Sequence, residues 1–185
     1  SYKNRYLLTA TLRTDGSSKF AKAYRWGWFP SVSLGWNISN EPFMESAEGV
    51  DLKFRISYGK TGNQDGISNY GWQPLISGGA NYGGVSGIAI SSKGNENLTW
   101  ETADQYDAGF DLSFLKGKVS MMFDVYLKTT HTLLYPMPLH STSGQTSMLS
   151  HIGSMQNKGI EFGLNFIPVQ TNDWHLSIGV NGTFQ

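Results

Sequence analysis

WGWFPSVSLGWNIS, Trp26–Ser39, alternates apolar with small or polar side chains. Trp28, Pro30, Val32, Leu34, Trp36 and Ile38 occupy one phase. Ser31, Ser33, Gly35, Asn37 and Ser39 occupy the other, and Phe29 is its one large exception. A period of two is that of a β-strand whose faces meet two environments. If the apolar face meets a protein core, the strand belongs to a sandwich. If it meets lipid, the strand belongs to a membrane-spanning wall.

The same pattern recurs six more times. Its apolar phases are Tyr6, Leu8, Ala10 and Leu12; Leu52, Phe54, Ile56 and Tyr58; Tyr106, Ala108, Phe110, Leu112 and Phe114; Val119, Met121, Phe123, Val125 and Leu127; Ile160, Phe162, Leu164 and Phe166; and Trp174, Leu176, Ile178, Val180 and Phe184. Charge placement is the informative part. Arg13, Lys53, Arg55, Asp107, Asp111, Asp124, Lys128 and Glu161 all fall in the opposite phase. An Arg or Lys facing mid-bilayer costs about 2–4 kcal/mol, a cost that would leave this pattern. A sandwich strand with one wet face alternates too, so alternation alone leaves both readings open.

The connections separate them. Thr14–Trp26 and NEPFMESAEGV (40–50) are of similar length, but the later connections alternate: Lys60–Thr99 and roughly Thr129–Lys158 are long, whereas LKGK (115–118) and VQTND (169–173) are tight. Asn40, Pro42 and Glu45 suggest a short helical turn after the second segment. Short turns at one end and long loops at the other characterise a transmembrane barrel. Trp28 and Tyr58 fall toward the long-loop end, and Trp36, Phe114 and Trp174 toward the short-turn end, as two lipid–water boundaries would select. Pro30 cannot donate to a ladder, so it is expected where strand pairing has stopped; Pro168 is expected at the end of its strand.

Totals agree. The 185 residues are only 15% charged but 14% aromatic, with 22 Gly. Zero formal net charge supplies no general field for nucleic acid, and the absence of Cys removes disulfide and thiolate chemistry. No apolar run reaches the length of a membrane helix. The expected fold class is all-β: an antiparallel transmembrane β-barrel segment of about seven strands, with long external loops and short periplasmic turns. The sequence reads as a piece of something larger.

Several blocks carry a family resemblance. RTDGSSKFAKAYRWGWFPSVSLGWNISNEPFM, LKFRISYGKTGNQDGISNY, NENLTWETADQYDAGFDLSF, DVYLKTTHTLLYPMPL and NKGIEFGLNF, in this order, resemble the barrel of SusC/RagA-type TonB-dependent outer-membrane transporters of the Bacteroidetes. Only about 76–93 lacks a match. The resemblance implies that residues 1–185 are part of a 22-stranded barrel domain, with the plug and remaining strands elsewhere. It implies import of glycan oligomers or peptides with TonB-derived energy and a SusD-type lipoprotein partner, in the outer membrane. Near His131 the family often has Asp, which KTTHTLL lacks. The alternative from residues alone is a soluble β-sandwich carbohydrate-binding module.

Candidate sites are few. Arg13, Arg55, Asp107, Asp111, Asp124 and Glu161 are expected to face the lumen. Tyr70, Trp72, Asn81 and Tyr82 lie in a Gly-rich external loop and are candidates for cargo contact, since aromatic faces and amides suit sugars or peptides. Ser57-x-x-Lys60 and Lys60-Thr61-Gly62 echo penicillin-binding enzymes but share one lysine, and no S-D-N follows. His131, His140 and His151 lack metal-ligand spacing, and NQDG (63–66) has too few acids for a calcium loop. The N-x-S/T triplets at Asn37, Asn97 and Asn181 are read as chance. No catalytic residue, metal or cofactor is expected.

Overall fold

The computed structural model describes residues 1–47 and 49–185, with all of their side chains except that of Tyr82. In chain order the strands are β1 (Tyr6–Gly16), β2 (Trp26–Asn37), β3 (Asp51–Asn63), β4 (Leu75–Tyr82), β5 (Val85–Ser92), β6 (Glu101–Phe114), β7 (Val119–His131), β8 (Leu134–Pro138), β9 (Ser147–His151), β10 (Ser154–Gln170) and β11 (His175–Phe184). Seven of them form one antiparallel sheet in the order β1-β2-β3-β6-β7-β10-β11. β4–β5 and β8–β9 are separate two-stranded hairpins. The seven alternating segments of the sequence are the seven strands of the large sheet.

Register turns the alternation into rows. Tyr6 pairs with Trp36, Trp36 with Phe54, Phe54 with Phe110, Phe110 with Phe123, and Phe123 with Phe162. Six adjacent strands thus carry one aromatic row, and the Phe110 and Phe123 rings stack at 5.5 Å. The neighbouring rows are Leu8–Leu34–Ile56–Ala108–Val125–Ile160 and, further out, Ala10–Val32–Tyr58–Tyr106–Leu127–Lys158. Among the described residues no second sheet packs on this face: Phe54 is 40% exposed and Phe162 49%.

The extent of the apolar face fits a bilayer. Rows two residues apart are ~6.8 Å apart along a strand, which at a tilt of ~40° is ~5 Å of height. On β6 the apolar rows run from Tyr106 through Phe110 to Phe114, so the band is ~21 Å tall, near the ~25 Å of outer-membrane barrels. The next row outward is Lys60–Asp104–Thr129–Gln156, which ends the apolar band. Lys158, the one charge in the top row, sits where its long stem can lift the ammonium to the boundary.

After β3 the connections alternate long and short as expected, whereas the β2–β3 connection (38–50) is longer than the β1–β2 one (17–25), and the strand ends differ from expectation in four places. First, β1 and β2 extend further than the sequence suggested, leaving Ser17–Arg25 as their connection rather than Thr14–Trp26. Propensity had placed the strand end at TDGSS, but cross-strand pairing carries it to Gly16↔Trp26. Second, Pro168 does not end its strand: β10 passes it through a bulge between Phe166 and Val169 and continues to Gln170. A bulge tolerates the missing donor. Third, Trp174 lies just outside β11, in a turn where the Thr171 N–H donates to the Trp174 carbonyl at 2.8 Å. Fourth, Pro30 does not end its strand: β2 runs on to Trp26 and Pro30 pairs with Leu12 of β1, but it lies one residue past the last β2–β3 pair, Ser31↔Gly59, so the ladder with β3 asks no donor of it.

A small buried cluster lies at the long-loop end. Phe20, Phe29, Ile67, Leu98 and Trp100 bury one another, with Trp72, Leu134 and Leu149 packed against them. The Phe29 ring meets Trp100 edge-on at 5.5 Å. This explains why Phe29 breaks the alternation of β2: beyond Pro30 it anchors the external loops instead of facing water.

Candidate functional site

The polar face is built by the same register. Gly35 pairs with Arg55, Arg55 with Gly109, Gly109 with Asp124, and Asp124 with Glu161. One row along, Lys53 pairs with Asp111 and Asp111 with Met122. Arg55 Nε lies 2.9 Å from Asp111 Oδ2, and its Nη2 lies 3.0 Å from Asp111 Oδ1 and 3.1 Å from Asp124 Oδ1. One guanidinium therefore joins β3 to β6 and, across β6, to β7. Glycine at 109 makes this possible: a Cβ there would collide with the Asp124 carboxylate and approach the Phe123 carbonyl oxygen to 2.6 Å.

The next row carries Ser57, Asp107 and Tyr126. Asp107 accepts from Ser57 Oγ at 3.2 Å and from Gln105 Nε2 at 2.9 Å. Arg55, Ser57, Gln105, Asp107, Asp124, Tyr126, Lys128 and Glu161 line one open depression. Arg13 shares this face by register, but its guanidinium pairs locally with Asp15 at 2.7 Å and stays apart from the Arg55 cluster. The arrangement offers hydrogen-bonding groups of both signs.

The external candidates are not assembled into one site. Tyr70 is largely exposed. Trp72 packs on the buried cluster. The Asn81 side chain accepts from the Gly84 N–H at 2.9 Å and so serves the β4–β5 turn. The Tyr82 side chain lies outside the described residues.

Other sequence motifs resolve into structural roles. Ser57 and Lys60 project from opposite faces of β3, and Lys60 instead approaches Asp104 at 4.0 Å, so the S-x-x-K echo makes no catalytic pair. His151 accepts the Thr99 N–H at Nε2, 2.9 Å, while Nδ1 lies 2.8 Å from the Thr132 carbonyl, which makes Nδ1 the protonated nitrogen. It is a strut between loops. Among the described residues no three His, Cys, Asp or Glu side chains gather as a metal site.

At the short-turn end sequence reasoning missed a clasp. Glu41 Oε1 accepts from Tyr6 OH at 2.7 Å and from Trp36 Nε1 at 2.9 Å, and Arg5 approaches Oε2 at 3.4 Å. Glu41 is only 7% exposed, and the hydrogen bonds from Tyr6 and Trp36 hold its carboxyl below the usual carboxylate range. It satisfies the polar ends of two rings of the aromatic row. The three glutamates in NEPFMESAEG gave no signal to tell them apart.

Comparison with known proteins agrees with this geometry. The family described as TonB dependent receptor-like, beta-barrel matches residues 1–185. A TonB-dependent receptor of Formosa agariphila is 38% identical over 184 residues, covering 99% of this chain and 18% of the relative. The TonB-dependent receptor SusC of Bacteroides thetaiotaomicron is 38% identical over 190 residues, covering 97% of this chain and 19% of SusC. The RagAB peptide importer in its closed-closed state superposes with a TM-score of 0.86 at 31% identity, over 97% of this chain and 20% of that one. The chain thus spans about a fifth of the length of the relatives it matches. Lipid-facing rows, a polar opposite face and long loops at one end are those of a transmembrane wall in the outer membrane, and the chain belongs to the TonB dependent receptor-like β-barrel family.

Proposed function

We propose that this sheet is part of the wall of an active importer that carries glycan oligomers or peptides across the outer membrane with TonB-derived energy and a SusD-type surface lipoprotein. The observation that carries the reading is the two-faced sheet: a continuous aromatic row on one face and the Arg55–Asp111–Asp124 network on the other. In this reading the network, with Asp107, Glu161 and Arg13, faces the lumen. Tyr70, Trp72, Asn81 and Tyr82 lie on the side from which cargo arrives. The relation to TonB-dependent receptors supports binding and passage as the work of this wall. The peptide alternative within the cargo class draws on the relation to the RagAB importer, the glycan alternative on the family resemblance.

The test is uptake by cells expressing the complete protein. Labelled maltooligosaccharides and a labelled peptide library are offered with TonB present, with TonB deleted, and after collapse of the proton gradient. Accumulation of either class that vanishes in the last two conditions supports the proposal. Accumulation indifferent to TonB and to the gradient overturns it. Tyr70→Ala in the same protein should weaken cargo binding with normal assembly, since a stacked aromatic is worth about 1–3 kcal/mol.

A further inference from the structure

We infer that the outer edge of β5 is a docking strand for an extended, uncharged peptide, which pairs with it as an added β-strand. This rests on the importer reading and names the cargo class for the external loops.

Three observations carry it. Between Asp65 and Lys93 the chain holds no charged residue, so the whole β4–β5 hairpin is uncharged. Among the described residues β5 pairs only with β4, and the apolar side chains of the hairpin stand in solvent: Ile88 of β5 is 76% exposed, and Ile90 of β5 and Ile76 of β4 flank it on the same face. Among the described residues no further strand pairs with the β5 edge. The Ile90 carbonyl accepts from the Gln145 side-chain amide at 2.8 Å, so Ile90 aims its backbone groups away from β4. Backbone groups two residues apart on a strand point the same way, so Ser86 and Ile88 present theirs along the same edge.

Such an edge is normally blunted. Lysine, proline, bulges or a covering loop protect sheet edges from unwanted pairing. β4 has a bulge at Gly79, but Val85–Ile90 of β5 carries no charge, proline or bulge. Gln145 covers a single acceptor with a side chain that can swing away. A row of backbone donors and acceptors at strand spacing matches an extended polypeptide and not a sugar chain, and strand addition is an established way for sheets to bind peptides. A charged segment would meet no partner here, whereas Ile76, Ile88 and Ile90 offer contact to apolar side chains on one face of the added strand.

The experiment uses the purified full-length protein in detergent, without TonB. The probe is an uncharged Val/Thr-rich octapeptide, compared with the same peptide N-methylated at alternate amides and with a maltooligosaccharide. Binding is read by calorimetry for wild type, Ile88→Pro and Gln145→Ala. Proline at 88 removes an edge donor but no β4 pairing, as edge strands tolerate. We expect at least tenfold weaker binding on N-methylation and in Ile88→Pro, and equal or tighter binding in Gln145→Ala. N-methylation acts on wild type, so the inference stays testable if Ile88→Pro fails to fold. Equal affinity for the parent and methylated peptides overturns it. So does absence of peptide binding in a protein that imports oligosaccharide, a result that leaves the importer reading intact. Concentration-dependent dimers abolished by Ile88→Pro, without peptide binding, would assign the edge to a second copy of the chain and also overturn it. Edge-dependent peptide binding without TonB-dependent uptake would instead fault the importer reading alone.

Discussion

Arginine scanning along β6 gives the sharpest test of where lipid meets this sheet. Tyr106, Ala108, Phe110, Leu112 and Phe114 face one way, and Asp107, Gly109, Asp111 and Ser113 the other. Phe110 is the middle row, ~10 Å of height from either end of the band by the spacing and tilt used above. Arginine there should cost about 2–4 kcal/mol, falling to about 0–1 kcal/mol at Tyr106 and Phe114 near the rims. Loss of the Phe110–Phe123 stack adds about 0.5–1.5 kcal/mol and must be subtracted, so each Arg variant is compared with Ala at the same position. Arginine at Ser113 on the other face should cost little. The assay is denaturant unfolding of the full-length protein in liposomes, followed by heat-modifiable gel mobility. The expected profile is a peak at Phe110 with shoulders at Ala108 and Leu112. A flat profile, or an Arg–Ala difference at Phe110 below about 1 kcal/mol, would refute lipid contact and favour a soluble sheet.

Three further outcomes follow from the geometry. Phe29→Ala should cost about 3–5 kcal/mol in the loop cluster, releasing the external loops to proteolysis on intact cells while heat-modifiable mobility stays normal. Gly109→Ala should force Asp124 away from Arg55 and lower outer-membrane yield, whereas Gly163→Ala, which meets only Met122 at 3.8 Å, should be silent by immunoblot of membrane fractions. The Glu41 clasp should respond to acid with a defined sign. Its folded carboxyl titrates below the unfolded one, so its stabilisation is complete above the ordinary carboxylate range and fades as pH falls through the lower folded value. The apparent melting temperature of wild type should therefore drop on acidification more than that of Glu41→Gln, read by heat-modifiable mobility across pH 3–7.

The parts of this fold legible in the sequence are those set by a local period. Each strand of the large sheet meets lipid-like and polar surroundings on alternate residues, so Leu52–Tyr58 or Ile160–Phe166 declares itself without knowledge of its neighbours. The rest depends on contacts between distant segments. Phe29 looked like an error in an alternating strand because its partners, Phe20, Leu98 and Trp100, lie in loops with no period at all. Trp72 resembled a free stacking platform for the same reason, since nothing in NYGWQP states that its ring rests on that cluster. Gly109 is one of many glycines until register sets it between Arg55 and Asp124. The hairpin β4–β5 shows the opposite limit. Its glycines and absent charges mark a loop, but its strands pair through bulges that break the period of two, so composition suggested binding while hiding the element that would do it. Membrane walls are therefore readable from sequence because lipid acts on every second residue. The loops that meet cargo are constrained by one another, and their chemistry emerges only when the wall brings their ends together.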